Sequence, residues 1–205
     1  MSEKTFIDKI YDVQTSAAMR DTYDQWADSY EAELTQHHYR TPMRVAQALA
    51  RHLTDPSLPI LDFACGTGLS GQALHEHGFT CIDGIDLSEG MIAQARKKNV
   101  YRHLNVCRAE SPFDAAVGPY STITAVGAIG AGAAPVECLS AAIDYLAPNA
   151  LFCVSLNDHT LEDASYERVL QSAVKAGTIR ILEDEYGEHL PNIGLKAKIF
   201  VIQKL

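Results

Sequence analysis

The chain has 205 residues, a length that suits one domain with a sizeable core. Its hydrophobic fraction of 47% and charged fraction of 21% are those of a globular protein, and no run reaches the ~20 apolar residues of a membrane span. With 17 lysines and arginines, 26 acids and a net charge of −9, it offers no basic face for a nucleic-acid backbone. The polar start, Met1 to Thr5, has no signal-peptide core. Five scattered cysteines without a C-x-x-C pair read as free thiols of a cytoplasmic protein.

In chain order, residues 17–35 and 42–53 read as helices, the second with Pro42 in its first turn. They form a helical N-terminal cap, residues 1–55, on a core of residues 56–205, all within one domain. After the loop Thr54 to Ser57, strands alternate with helices. Strands are predicted near 58–63, 80–85, 101–107, 120–126, 150–156, 178–186 and 196–204, and helices near 69–77, 88–98, 135–147 and 161–176. Such alternation gives an α/β fold, a Rossmann-like seven-stranded and mostly parallel sheet with helices on both faces. No helix separates the last two strands, so they should pair as a hairpin with an antiparallel last strand.

Two segments carry chemistry. Leu58-Pro59-Ile60-Leu61 leads into Asp62-Phe63-Ala64-Cys65-Gly66-Thr67-Gly68, a strand, a glycine turn and then a helix, where backbone N–H groups can face a ligand. The next strand ends at Asp86, where a carboxylate can take both hydroxyls of a ribose. Gly66, Gly68 and Gly71 also satisfy the G-x-G-x-x-G dinucleotide pattern. Against a nicotinamide cofactor stand the charge of Asp62, which would repel a phosphate, and the ~55 residues that precede the motif, whereas dinucleotide domains often begin with it. An ammonium-bearing ligand such as S-adenosylmethionine suits Asp62 better.

Asp62 to Gly68 resembles the first motif of class I S-adenosylmethionine-dependent methyltransferases, and Gly84 to Met91 resembles their acidic second-strand motif. A narrower likeness, to the Williams–Beuren syndrome critical-region methyltransferase-like group, rests on Tyr23-Asp24-Gln25-Trp26-Ala27-Asp28-Ser29-Tyr30, Tyr39-Arg40-Thr41-Pro42 and Val100-Tyr101-Arg102-His103-Leu104. It implies S-adenosylmethionine as cofactor, and a site of Tyr30, Arg40, Asp62, Ala64, Gly66, Gly68, Asp86, Leu87, Met91, Ala109 and Val126. The chain departs from the pattern at Ala64, usually glycine, and at Arg108, usually an acid facing the adenine amino group. Tyr120-Ser121 and Pro148-Asn149-Ala150 are further departures.

Each candidate has a plainer role open to it. Asp86 could cap a helix, although Ser88 is better placed to do so. Asp62 could hold a turn, and Met91 could fill the core. Tyr23, Trp26 and Tyr30 share a helical face that could attract a sulfonium or dock the helix to the sheet. Arg40 could grip a carboxylate or lie on the surface. Tyr23, His38, Asp158, His159 and His189 are candidates for contact with the acceptor, and the histidine spacing makes no metal site. The expected activity is methyl transfer to a small molecule, with no nucleic-acid or membrane partner. A cofactor-binding protein that works through a partner, or a nicotinamide oxidoreductase, would be the other outcomes.

Overall fold

The computed structural model describes Ile10 and residues 15–205. The rest of the expected cap, residues 1–9 and 11–14, lies outside them. The helical elements are α1 (Ser16–Trp26), α2 (Tyr30–Gln36), α3 (Thr41–Ala50), α4 (Leu69–Glu76), α5 (Glu89–Lys97), α6 (Val136–Tyr145), α7 (Asp158–Leu161) and α8 (Ala164–Lys175). The strands are β1 (Ile60–Phe63), β2 (Ile82–Asp86), β3 (His103–Val106), β4 (Thr122–Ala125), β5 (Leu151–Asn157), β6 (Ile179–Leu190) and β7 (Leu195–Lys204).

The seven strands form one sheet in the order β3-β2-β1-β4-β5-β7-β6. Pairing is parallel from β3 through β5, while β7 runs antiparallel to both β5 and β6. The expected architecture is therefore present. β1, β4 and nearly all of β5 are buried on both faces, as a sheet covered by helices on both sides requires. Phe152, Ile123, Leu61 and Leu139 sit in the largest core cluster, and Leu49, Ile60, Leu74 and Phe79 in the one on the other face. A fully buried side chain of this size contributes roughly 1.5–3 kcal/mol.

Two expectations need adjustment. The predicted helix over 17–35 is two helices, α1 and α2, broken at Ala27 to Ser29. The aromatic face survives the break, because Trp26 packs edge-on against Tyr30 with ring centroids 4.6 Å apart. The hairpin is also tighter than expected. β6 runs through Gly187 to Leu190, and the turn is the short 3₁₀ segment Pro191–Ile193 followed by Gly194 at φ 71°.

The chain turns sharply after β1. Ala64 there has φ 50°, in the left-handed region where a Cβ is strained. Ala64→Gly should relieve that strain and stabilise the protein by about 1 kcal/mol, a Tm rise of about 2–4 °C. A calorimetric scan showing a lower Tm would mean that the alanine methyl contributes more by packing than it costs in strain.

Candidate functional site

The C-terminal ends of β1, β2 and β4 open on a cavity of about 570 Å³. Its floor includes Ala64 to Thr67, which follow β1, and Asp86 to Ser88, which follow β2. Val126 to Ala128 close the β4 end, and Thr15, Met19 and Tyr23 cover the cavity from α1 and its cap.

Asp86 is the centre of the floor. It is 8% exposed, and its Oδ2 accepts the Gly66 N–H at 2.9 Å while its Oδ1 accepts the Ser88 N–H at 2.9 Å. One lone pair on each oxygen remains for a ligand hydroxyl. Burial raises the Asp86 pKa above the ordinary carboxylate range, and the backbone N–H donors work against that rise. Ser88 caps α5, accepting the Met91 N–H at 3.0 Å, so Asp86 is not the helix cap. A Cβ added to Gly66 would meet open space, which marks this glycine's face as the one turned to the cavity. The neighbouring Thr67 Oγ1 is buried without a hydrogen-bond partner, on a residue that lines the cavity. A two-oxygen acceptor, an open glycine face and an orphaned hydroxyl fit a nucleoside ligand with free ribose hydroxyls.

Of the predicted cofactor residues, Tyr30, Ala64, Gly66 and Asp86 line the cavity, as do Leu87, Met91, Ala109 and Val126. Gly68 does not. It caps α4 with φ 90°, and its missing Cβ would meet the Tyr101 ring at 3.0 Å. Arg40 stands exposed before α3, outside the lining.

Asp62 is also outside the lining and is fully buried. Its Oδ2 accepts hydroxyls from Ser70 at 2.5 Å and Tyr101 at 2.7 Å, and its Oδ1 accepts that of Thr124 at 3.0 Å. The carboxylate therefore joins β1, α4, β4 and the approach to β3. Burial pushes its pKa up to about 6, against the pull of the three hydroxyls. A raised carboxylate pKa contributes stability that is present below about pH 4 and is lost as pH rises through about 6. The stability of the wild type relative to Asp62→Asn should thus be greater at about pH 4.5 than at about pH 7, by roughly 2 kcal/mol. Urea unfolding at the two pH values measures this, and an equal difference at both would show that Asp62 titrates normally.

Among the predicted acceptor residues, only Tyr23 reaches the cavity. Asp158 is tied to the hairpin, accepting the Tyr186 hydroxyl at 2.7 Å and the Lys196 N–H at 2.8 Å. His189 is buried, with Nδ1 2.7 Å from Thr41 Oγ1, and burial drops its pKa to about 4, so it stays neutral. His38 and His159 are exposed and outside the lining. No group of three metal-ligating side chains exists among the described residues. Cys65, Cys107 and Cys138 line the cavity, but burial raises all three thiols, Cys107 to about 12. They are protonated near neutrality and are poor nucleophiles.

Sequence reasoning gave no role to Tyr101, Ser70, Thr124, Thr67 or Asp24. Asp24 accepts from the Ser88 hydroxyl and from the Gly90 N–H at 2.9 Å. Its neighbour Tyr23 donates to the Gly132 carbonyl at 3.0 Å, on the loop between β4 and α6. Two consecutive residues thus tie α1 to two walls of the cavity. Gln94 to Asp28 at 2.6 Å and Lys98 to Glu31 at 2.9 Å extend the join to α5. The segment Tyr23 to Tyr30 had signalled this helix, but only by its aromatic face.

Comparison with known proteins agrees with this geometry. A family described as "Methyltransferase domain" matches residues 60–150. Human Methyltransferase-like protein 27 is 30% identical over 155 residues, 74% of this chain and 62% of its own length. Aklanonic acid methyltransferase DauC of Streptomyces sp. (strain C5) is 32% identical over 129 residues, 53% of this chain and 54% of its own. The chain thus spans less than two thirds of either relative. The fold of the plantazolicin methyltransferase BpumL, solved in complex with SAH, superposes with a TM-score of 0.62 at 14% identity, covering 98% of this chain and 99% of that one.

Proposed function

Because the chain belongs to the class I S-adenosylmethionine-dependent methyltransferases, we propose that it transfers the methyl group of S-adenosylmethionine to a small-molecule acceptor. The observation that carries the acceptor class is the covered cavity, over which α1 is held by Tyr23 on Gly132 and Asp24 on Ser88 and Gly90. A macromolecular acceptor would need an open approach to the strand ends. The relative DauC, named for aklanonic acid, supports the same reading.

In this reading Asp86 binds the ribose, with Leu87 and Met91 beside the base and Ala109 offering its backbone. Tyr30 and Val126 bound the other end of the ligand. S-adenosylmethionine supplies a methyl group already activated on a sulfonium. The chain's own residues have to hold the ligand, align the acceptor atom ~3 Å from that carbon and exclude water. α1 and its two ties serve the last of these, and residues 15–55 act as a cap over the strand ends. Among the described residues, no helix is long and apolar enough to cross a membrane.

Saturating S-adenosylhomocysteine should raise the Tm, by about 2.7 kcal/mol of added stability at a hundredfold excess over Kd. Cell extract treated with the protein and deuteromethyl cofactor should show label in low-mass products by mass spectrometry. Faster labelling of tRNA or of a protein band would overturn the small-molecule assignment. Binding with no labelled product of any kind would point to a cofactor-binding protein without transfer.

A further inference from the structure

Three of the motif glycines lie against one side chain. Ideal Cβ atoms on Gly68, Gly71 and Gly84 would come within 3.0, 2.2 and 3.1 Å of the Tyr101 ring. Gly66 alone of the signature glycines has open space on its Cβ side. The glycine pattern after β1 therefore answers two demands, a ligand at Gly66 and a tyrosine at Gly68 and Gly71.

The Tyr101 hydroxyl is engaged on both sides. It donates to Asp62 Oδ2 at 2.7 Å and accepts the Gly71 N–H at 3.1 Å. Gly71 is in the first turn of α4, where N–H groups lack partners within the helix. Ser70, one residue earlier, donates to the same Asp62 oxygen. The start of α4 is thus fixed to the end of β1 through one phenol and one carboxylate oxygen. The loop 64–68 spans that short gap. Its far side carries the Gly66 N–H that binds Asp86.

We propose that Tyr101 is a positioning residue for the cofactor loop: through Asp62 Oδ2 and the Gly71 amide it sets the shape in which Gly66 faces the cavity and its N–H reaches Asp86. The inference rests on the cofactor reading above. Tyr101 and Asp62 are both outside the cavity lining, so they act through the loop and not on the ligand. Thr124 provides an internal comparison, because it bonds the other oxygen of the same carboxylate, on the β4 side and away from the loop.

The test is S-adenosylhomocysteine titration calorimetry together with the Tm of the ligand-free protein. Tyr101→Phe keeps the ring and removes only the hydroxyl. It should weaken S-adenosylhomocysteine by about threefold to tenfold, because the lost bond bears on the loop's population of its binding shape and not on the ligand directly. Asp62→Leu, of similar size, removes the acceptor that Tyr101 and Ser70 share, should show the same loss, and stands in if Tyr101→Phe does not fold. Thr124→Val should lower the Tm yet leave Kd within about twofold, because it removes the donor from the oxygen that does not touch the loop. A general stabilising role would move all three Tm values and no Kd. Wild-type-like affinity in Tyr101→Phe, or an equal loss in Thr124→Val, overturns the proposal. A wild type that does not bind S-adenosylhomocysteine overturns the cofactor reading itself and this proposal with it.

Discussion

Asp86→Ala is expected to weaken S-adenosylhomocysteine binding by about 1.5–3 kcal/mol, or roughly 10–150-fold, the range for hydrogen bonds to a charged group. Each Asp86 oxygen already accepts one backbone N–H, from Gly66 or Ser88, so alanine removes the ligand's acceptor and leaves two donors unpaired. Some loss of stability therefore accompanies the loss of affinity. Asp86→Asn separates the two effects. It keeps one oxygen acceptor and the side-chain volume, so the Tm should be nearer wild type while affinity still drops through the lost charge and second acceptor. Titration calorimetry on the three proteins decides the matter, and unchanged affinity in both variants would place the ribose elsewhere.

Gly71→Ala should be strongly destabilising. The added carbon would stand 2.2 Å from Tyr101 Cζ and 2.3 Å from its oxygen. Neither partner can yield cheaply, since Gly71 is in α4 and the ring is bound at its hydroxyl by Asp62. Overpacking of this kind costs up to about 3 kcal/mol, and for a protein of this size that is a Tm drop of about 6–12 °C. Tyr101→Ala would also destabilise, by leaving a void and taking from Asp62 Oδ2 one of its two hydroxyl donors. In the double variant the new methyl enters the vacated space, so the two losses should sum to more than the measured one. Strict additivity would show that the alanine at 71 does not meet the tyrosine.

The two predictions differ in how visible their residues are in the sequence. The place of Asp86 in the cavity wall could be read directly, because the carboxyl ends of the strands of an alternating β/α chain converge on one crevice. The parallel order of the first five strands was legible for the same reason, as was the antiparallel hairpin from the missing helix. Asp62 and Tyr101 show the opposite case. Asp62 stood in the motif, yet its partners Ser70, Tyr101 and Thr124 lie 8, 39 and 62 residues away. Local spacing does not report which hydroxyls converge on a buried carboxylate. Asp158 and His189 were misjudged likewise, since a position after a strand or in a hairpin says nothing about the Tyr186, Lys196 or Thr41 groups that occupy them. The break between α1 and α2 was hidden because the aromatic period continues across it.

The place of β7 has a consequence for biosynthesis. It is the last strand in sequence, yet it lies inside the sheet, paired along Leu151–Asn157 of β5 on one side and along β6 on the other. During translation the parallel half, β1 to β5, emerges first and can assemble while the remainder is still in the ribosome. Throughout that interval β5 has one bare edge, with the apolar side chains of Phe152, Val154 and Leu156 along the strand. An exposed apolar edge of this kind is a template for pairing with another chain. The nascent protein is therefore most vulnerable to aggregation between the emergence of β5 and that of β7, and a chaperone that covers β5 in that interval would raise the yield of folded protein more than one acting on helices α1 to α3.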